Sequence, residues 1–98
     1  MRRLSEMSLD ELYDVEEKLL QALDSGEKKD WIYSEIVGVY EQIYHKLTRL
    51  PVKKREERKV EIEYVTKQLV KYLITYGTYL KTQLMKDDFT AKTPLRKH

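Results

Sequence analysis

Cysteine is the first residue type that the 98-residue chain lacks. Its absence excludes a disulfide framework, a thiolate metal site and a cysteine nucleophile, and it is typical of proteins that work in a reducing compartment. Proline and glycine are scarce as well, with two and three residues respectively. Because helix interiors exclude these two residue types most strongly, their scarcity favours an all-α fold around one modest core.

A long apolar run is also missing. The longest weakly polar stretch, residues 70–80, is interrupted by Lys71 and is far shorter than the ~20 apolar residues of a membrane-spanning helix. After Arg2 and Arg3 the chain turns acidic, which predicts that it has no signal peptide. We therefore expect a cytoplasmic protein. Its balance of Lys and Glu is typical of proteins from hot environments and also of solvent-exposed helices.

Signatures of chemistry are absent too. No Ser or Thr has a partnered His in a known pattern, and no Gly-rich loop precedes a basic residue. Glu41 and His45 lie one helical turn apart, a spacing that suits two metal ligands, but no second His falls on a predicted element. The sequence therefore predicts no catalytic residue, no cofactor site and no metal site, and we expect the protein not to be an enzyme.

Capping signals mark the first two helices. Ser8 and Glu11 have the spacing of a capping box, which predicts a first helix from about Leu9 to Asp24, with a left-handed stop at Ser25-Gly26. The second helix is predicted to begin near Asp30 and to end by Leu50, because Pro51 disfavours helix at the preceding residue. Two neighbouring apolar rows make this second helix the expected central one.

Glu16 lies inside the apolar stripe of the first helix. A lone carboxylate there costs free energy unless a partner reaches it, so we expect it at an interhelix rim beside a Lys or Arg.

The third helix is predicted to start within 52–56 and to continue to about Lys86. Its expected core face contains Ile62, Val65, Leu69, Tyr72, Leu73, Tyr76, Leu80 and Leu84. Such a helix is about 50 Å long, roughly twice the length of the other two. It therefore either overhangs the bundle or, as we favour, bends or breaks near Gly77 with a short fourth segment. The predicted fold is an all-α, up-down-up three-helix bundle over 1–88, with a flexible basic tail over 89–98.

Several apolar residues fall away from the predicted core. Val60, Val70 and Ile74, with Met85, form a second strip on the third helix, which indicates contact with a protein partner or a second copy; the alternative is scattered surface hydrophobes. Trp31 falls on the polar side of the second helix. It is predicted either to anchor a partner or to cover the first loop.

The stretch PVKKREERK, residues 51–59, concentrates positive charge. Antiparallel packing would place it at the same pole as the N-terminal arginines, so the predicted phosphate-contacting residues are Arg2, Arg3, Arg49, Lys53, Lys54, Arg55, Arg58 and Lys59. The alternative is a solvated helix start in which Glu56 and Glu57 offset the cations. The uniform charge suits phosphates better than base edges, so sequence-specific recognition is not expected.

Three functional hypotheses follow from these patterns. The first is a non-catalytic accessory or adaptor subunit that binds protein partners within a nucleic-acid-processing assembly, such as a DNA replication or polymerase complex. The second is an autonomous homodimer that binds DNA or RNA without sequence preference. The third is a structural or regulatory helical bundle unrelated to nucleic acid, of a kind that viruses encode.

Overall fold

Helices account for all regular structure in the described part of the chain. The computed structural model describes residues 3–27 and 30–92, with side chains as far as Met85. A short 3₁₀ turn spans Leu4–Glu6, followed by α1 (Leu9–Asp24), α2 (Asp30–Thr48), α3 (Val52–Glu57) and α4 (Lys59–Lys92). No strand occurs among these residues, so the predicted all-α fold class is confirmed.

The capping signals act as predicted. The Ser8 side chain accepts a hydrogen bond of 3.2 Å from the Glu11 backbone N–H, and Glu11 Oε1 accepts one of 3.0 Å from the Ser8 backbone N–H. Gly26 has a φ of +94°, a left-handed conformation that strains a residue with a Cβ atom. The predicted bounds of α1 are therefore confirmed, together with the start of α2 at Asp30.

Helix α2 is the central element. It packs against α1, α4 and the 3₁₀ turn, and it contributes most of the core: Ile32, Tyr33, Ile36, Val39, Tyr40, Ile43 and Leu47 are all buried. The Tyr33 and Tyr79 rings lie 5.1 Å apart, and the Tyr40 and Tyr72 rings lie 5.9 Å apart. Later positions on α2 thus meet earlier positions on α4, so these two helices run in opposite directions.

The predicted third helix is interrupted near its start. Arg58, with φ −110° and ψ 22°, separates α3 from α4, whereas α4 is continuous through Gly77. The prediction of a break near Gly77 is therefore wrong, and the short fourth segment lies at the opposite end of the helix. The bend predicted near Gly77 stays a prediction. α3 buries no residue, so packing does not hold it in line with α4. It also has no acidic residue in its first turn to stabilise its own N-terminus through the helix dipole. At Gly77 an added Cβ would meet open space.

Helix α4 overhangs the rest of the molecule, the alternative to a break. Tyr79 already packs against Tyr33 in the first turn of α2, yet α4 continues for about 20 Å beyond it. Val65 and Tyr72 are buried as predicted. The predicted burial of three other core residues is wrong, because they are exposed: Leu73, Leu80 and Leu84. The last of these, Leu84, lies past the start of α2, where no described residue of α1 or α2 can cover it.

The N-terminal segment folds back along α2. Leu4 packs so closely against this helix that a Cβ atom added to Gly38 would lie 3.1 Å from Leu4 Cδ1. The 3₁₀ turn therefore lies beside the middle of α2, although α1 begins near the C-terminal end of α2. A side chain at position 38 would therefore make a tight contact, and the Leu4 side chain would have to shift by a few tenths of an ångström to relieve it.

The proposed division into a domain at 1–88 and a tail at 89–98 stays a prediction. Helix α4 is assigned as far as Lys92, and the remaining residues of the predicted tail lie outside the described part of the chain.

Candidate interaction surfaces

The basic segment comprises the cations of residues 49–59 and surrounds the junction of α3 and α4. The exposed members are Arg49, Lys53, Lys54, Arg55 and Lys59. Arg58 is less accessible and donates two hydrogen bonds to the Glu61 carboxylate, of 2.8 Å from Nε and 3.2 Å from Nη2. This pairing neutralises part of the Arg58 charge, so the exposed members are the ones best placed for a polyanion.

The N-terminal arginines do not join this segment as far as the structure describes them. Arg3 lines a cavity with Glu35 and Gln42, beside the middle of α2. From the level of Gly38 to that of Arg49 the chain rises about 16 Å along the helix direction, so Arg3 lies well away from the junction. The fold-back of the 3₁₀ turn is the physical reason. Arg2 lies outside the described residues.

A cavity of about 370 Å³ lies in the elbow between α3 and α4. Val52 and Ile62 supply its apolar lining, and the rim carries charges of both signs: Arg55, Lys59, Glu56 and Glu63. Its volume is at the small end of the range for ligand sites. An apolar side chain of a bound peptide would fit it, and the cations at its rim make it continuous with the basic segment.

An outer strip of apolar residues runs along α4 on the face turned away from the buried Val65 and Tyr72. Its members are 36–67 % exposed: Val70, Leu73, Ile74, Leu80, Leu84 and Met85. At 100° per residue they fall within an arc of about 140°. Lys81 is the one charged residue in that arc between positions 70 and 85. Apolar residues gathered into a single band are typical of a contact surface, whereas scattered ones are ordinary.

Two of the predicted partner-binding residues, Val70 and Ile74, belong to the outer strip, and two do not. Val60 is 79 % exposed, but the charged residues Glu63 and Lys67 separate it from the strip. Trp31 is 55 % exposed and precedes Tyr33 by two residues. Because two residues turn a helix by about 200°, and Tyr33 faces α4, the Trp31 side chain points away from α4. Trp31 and the outer strip are therefore separate surfaces.

Glu16 holds the three long helices together through tyrosine hydroxyls. It accepts hydrogen bonds from Tyr40 of α2 and, at 3.0 Å, from Tyr64 of α4. Its predicted place at an interhelix rim is right, but the predicted cationic partner is wrong. The phenol hydroxyls of Tyr40 and Tyr64 contact the carboxylate where a cation was expected. Gln68 Nε2 extends the network by donating to the Tyr40 hydroxyl at 3.3 Å.

The phenols in this region are held in their neutral form. Burial raises the pKa of Tyr40 well above its ordinary value, and its hydrogen bond to Glu16 raises the pKa further. Burial and the hydrogen bond to Glu61 likewise raise the pKa of Tyr13. A phenol that keeps its proton is a hydrogen-bond donor and a poor base, so this network is suited to fixing helix positions.

No group of three or more metal-ligating side chains is found among the described residues. Within the same part of the chain, no helix is long and apolar enough to cross a membrane. No protein-family model matches the sequence, and no curated protein or solved structure is significantly similar to it.

Proposed function

We propose that this chain is a non-catalytic adaptor that binds protein partners within an assembly acting on DNA or RNA, such as a replication or polymerase complex. In this proposal α1, α2 and α4 form an up-down-up bundle that serves as a rigid body. The observation that supports this proposal is the outer strip of α4. Covering an exposed apolar band of this kind with a bound protein removes its surface from water, which is favourable.

Protein contact would use two separate apolar surfaces. The outer strip offers several aliphatic side chains, and Trp31 offers one large ring of a type that is enriched at binding hot spots. Their different orientations allow two proteins to be bound at once, which is what an adaptor requires.

The proposed link to nucleic acid depends on the basic segment. Its exposed members, among them Lys53, Lys54 and Arg55, are free of the short-range pairing that engages Arg58 with Glu61. Exposed cations of this kind attract phosphates without reading base sequence. The basic segment lies near the start of α4 and the exposed end of the outer strip lies near Leu84, so protein and phosphate contacts need not compete.

Affinity capture tests the protein-binding part. The tagged full chain is recovered from its native extract with and without nuclease, alongside Trp31→Ala and the matched surface control Lys18→Ala. We expect a nuclease-resistant partner that Trp31→Ala loses and Lys18→Ala retains. Recovery of nucleic-acid-bridged material alone would contradict the adaptor proposal and favour a direct nucleic-acid-binding protein.

A salt titration of duplex DNA binding tests the nucleic-acid part. The logarithm of affinity should fall with the logarithm of salt by about 0.9 for each phosphate neutralised. Lys53→Ala and Lys54→Ala should each lower that slope by about 0.9, whereas Lys67→Ala, at an exposed lysine about two turns into α4, should leave it unchanged. No binding at low salt would remove nucleic acid from the proposal and support a structural or regulatory bundle.

A further inference from the structure

Four of the six members of the outer strip are placed symmetrically about Gly77 in the sequence. Three residues to either side lie Ile74 and Leu80, and seven residues to either side lie Val70 and Leu84. All four are exposed aliphatic side chains in the structure. An antiparallel pair of identical helices related by a two-fold axis through Gly77 would bring these apolar residues together, because the axis places position 77 + n of one chain opposite position 77 − n of the other.

Gly77 itself suits the crossing point of such a pair. A Cβ atom added there would find nothing within 4 Å, so no described residue of the same chain requires the glycine. Glycine in an exposed helix interior lowers helix stability by about 1 kcal/mol relative to alanine. A neighbouring helix backbone that approaches at this position supplies a reason for glycine that the single chain does not.

The length of the overhang fits the same arrangement. The part of α4 beyond Tyr79, residues 80–92, has no described residue of α1 or α2 alongside its distal end. A two-fold axis at Gly77 places residues 80–92 of one copy beside residues 74–62 of the other. That stretch belongs to the half of α4 supported by α2, so each overhang would rest on the outer face of the other copy. A helix segment of this length is marginal in water without packing.

We infer that the outer strip binds a second copy of this chain, through antiparallel pairing of the two α4 helices about Gly77. Val70 then faces Leu84 of the partner chain, and Ile74 faces its Leu80. Lys81 falls beside the partner's Leu73, and its long methylene stem can cover that leucine while the ammonium group reaches water. The second copy would occupy one of the two apolar surfaces of the proposed adaptor and leave Trp31 for another protein.

Light scattering of the purified full chain, over a range of concentrations, is the first test. We expect a species with twice the 11.8 kDa mass of one chain. Leu84→Glu should raise the dimer dissociation constant by at least about tenfold, whereas Val60→Glu, at a still more exposed site on the same helix outside the outer strip, should not change it. Gly77→Gln should also weaken the dimer, although glutamine is the better helix former.

Cross-linking tests the direction of pairing, because the chain has no cysteine of its own. In the antiparallel pair Val70→Cys faces Leu84→Cys, while the two copies of position 70 lie about 21 Å apart. Mixing the two variants under oxidising conditions should give a mixed disulfide, and Val70→Cys alone should give none. A monomer at every concentration, loss of the dimer in Val60→Glu, or a disulfide between two Val70→Cys chains would overturn the inference. Because these measurements use the isolated chain, such a failure would leave the capture experiment to decide the adaptor proposal.

Discussion

At the scale of single residues, the Glu16 carboxylate is the point at which the three long helices meet. The Tyr40 and Tyr64 hydroxyls both donate to it, and within the described residues no buried side-chain polar atom is left without a partner. A hydrogen bond to a charged group contributes more than a neutral one, about 1.5–3 kcal/mol. These bonds also fix the helices relative to one another, because a shift of one turn would separate the hydroxyls from the carboxylate.

The raised pKa values of the tyrosines make the free energy of unfolding depend on pH in the alkaline range. An unfolded tyrosine loses its proton near its ordinary pKa of 10.0, whereas Tyr40 keeps its proton in the folded state. The free energy of unfolding should therefore be constant with respect to this group below about pH 10 and should fall above it. Below that pH, Tyr40→Phe should have a lower free energy of unfolding than the wild type, because phenylalanine cannot donate the hydrogen bond to Glu16. Above that pH, the free energy of unfolding of Tyr40→Phe should fall less steeply than that of the wild type.

Urea unfolding on both sides of that pH checks this prediction. Because lysines also titrate in the alkaline range, the informative quantity is the difference in slope between the wild type and Tyr40→Phe. Tyr76→Phe, which removes a partly buried α4 hydroxyl that takes no part in the Glu16 network, is the matched control. Equal slopes in the wild type and Tyr40→Phe would show that the folded chain does not hold this proton.

The partner of Glu16 illustrates what the sequence does not determine at this scale. Helical periodicity places Glu16 at an interhelix rim, because the position depends on α1 alone. Its hydrogen-bond donors come from two other helices, and their identity depends on the relative heights of α1, α2 and α4. Local sequence carries no information about these heights, so a general preference for a cation led to the wrong partner.

At the scale of elements, α3 is the least supported helix. It spans six residues and buries none of them, and Arg58 uncouples it from α4. Local stability follows burial, so we expect the α3 backbone amides to exchange with solvent far faster than those of the buried middle of α2. Amide hydrogen exchange measured by NMR would check this expectation. Comparable protection of α3 and α2 would contradict it and would mean that α3 is held by contacts beyond this chain.

The elements differ in how well the sequence predicts them. The bounds of α1 and the start of α2 follow from short-range signals, namely Ser8 with Glu11, Gly26 and Asp30. The break at Arg58 has no such signal, because residues 52–62 contain no glycine or proline. The break lies where the chain does not yet pack against α2, because α3 buries no residue. α4 stays helical at Gly77, because the free energy that one glycine costs a helix is smaller than the free energy that stabilises the rest of α4.

At the scale of the whole molecule, the mismatch of helix lengths has the largest consequence. α1 and α2 have 16 and 19 residues, whereas α4 has 34, and the molecule measures 64 × 24 × 23 Å. The excess length of α4 leaves Leu84 and Met85 without a described neighbour on α1 or α2. The helical wheel assigned Leu84 to the core, because a wheel does not record where the partner helices end.

The charge distribution also changes at this scale. The sequence predicts one basic pole, and the basic segment of residues 49–59 is exposed, but Arg3 is carried to the side of the molecule by the fold-back of the 3₁₀ turn. Electrostatic attraction of a polyanion would therefore be directed at the α3–α4 junction. The outer strip extends from the middle of α4 toward its other end, so the two contact surfaces are arranged along one helix.

Amide hydrogen exchange beyond Tyr79, measured over a range of protein concentrations, tests most directly whether the outer strip of α4 is buried in the working protein. We expect protection of this overhang that increases with concentration, persists in Val60→Glu and is lost in Leu84→Glu. Exchange as fast as in an unfolded peptide at every concentration, and equal in the wild type and Leu84→Glu, would contradict it.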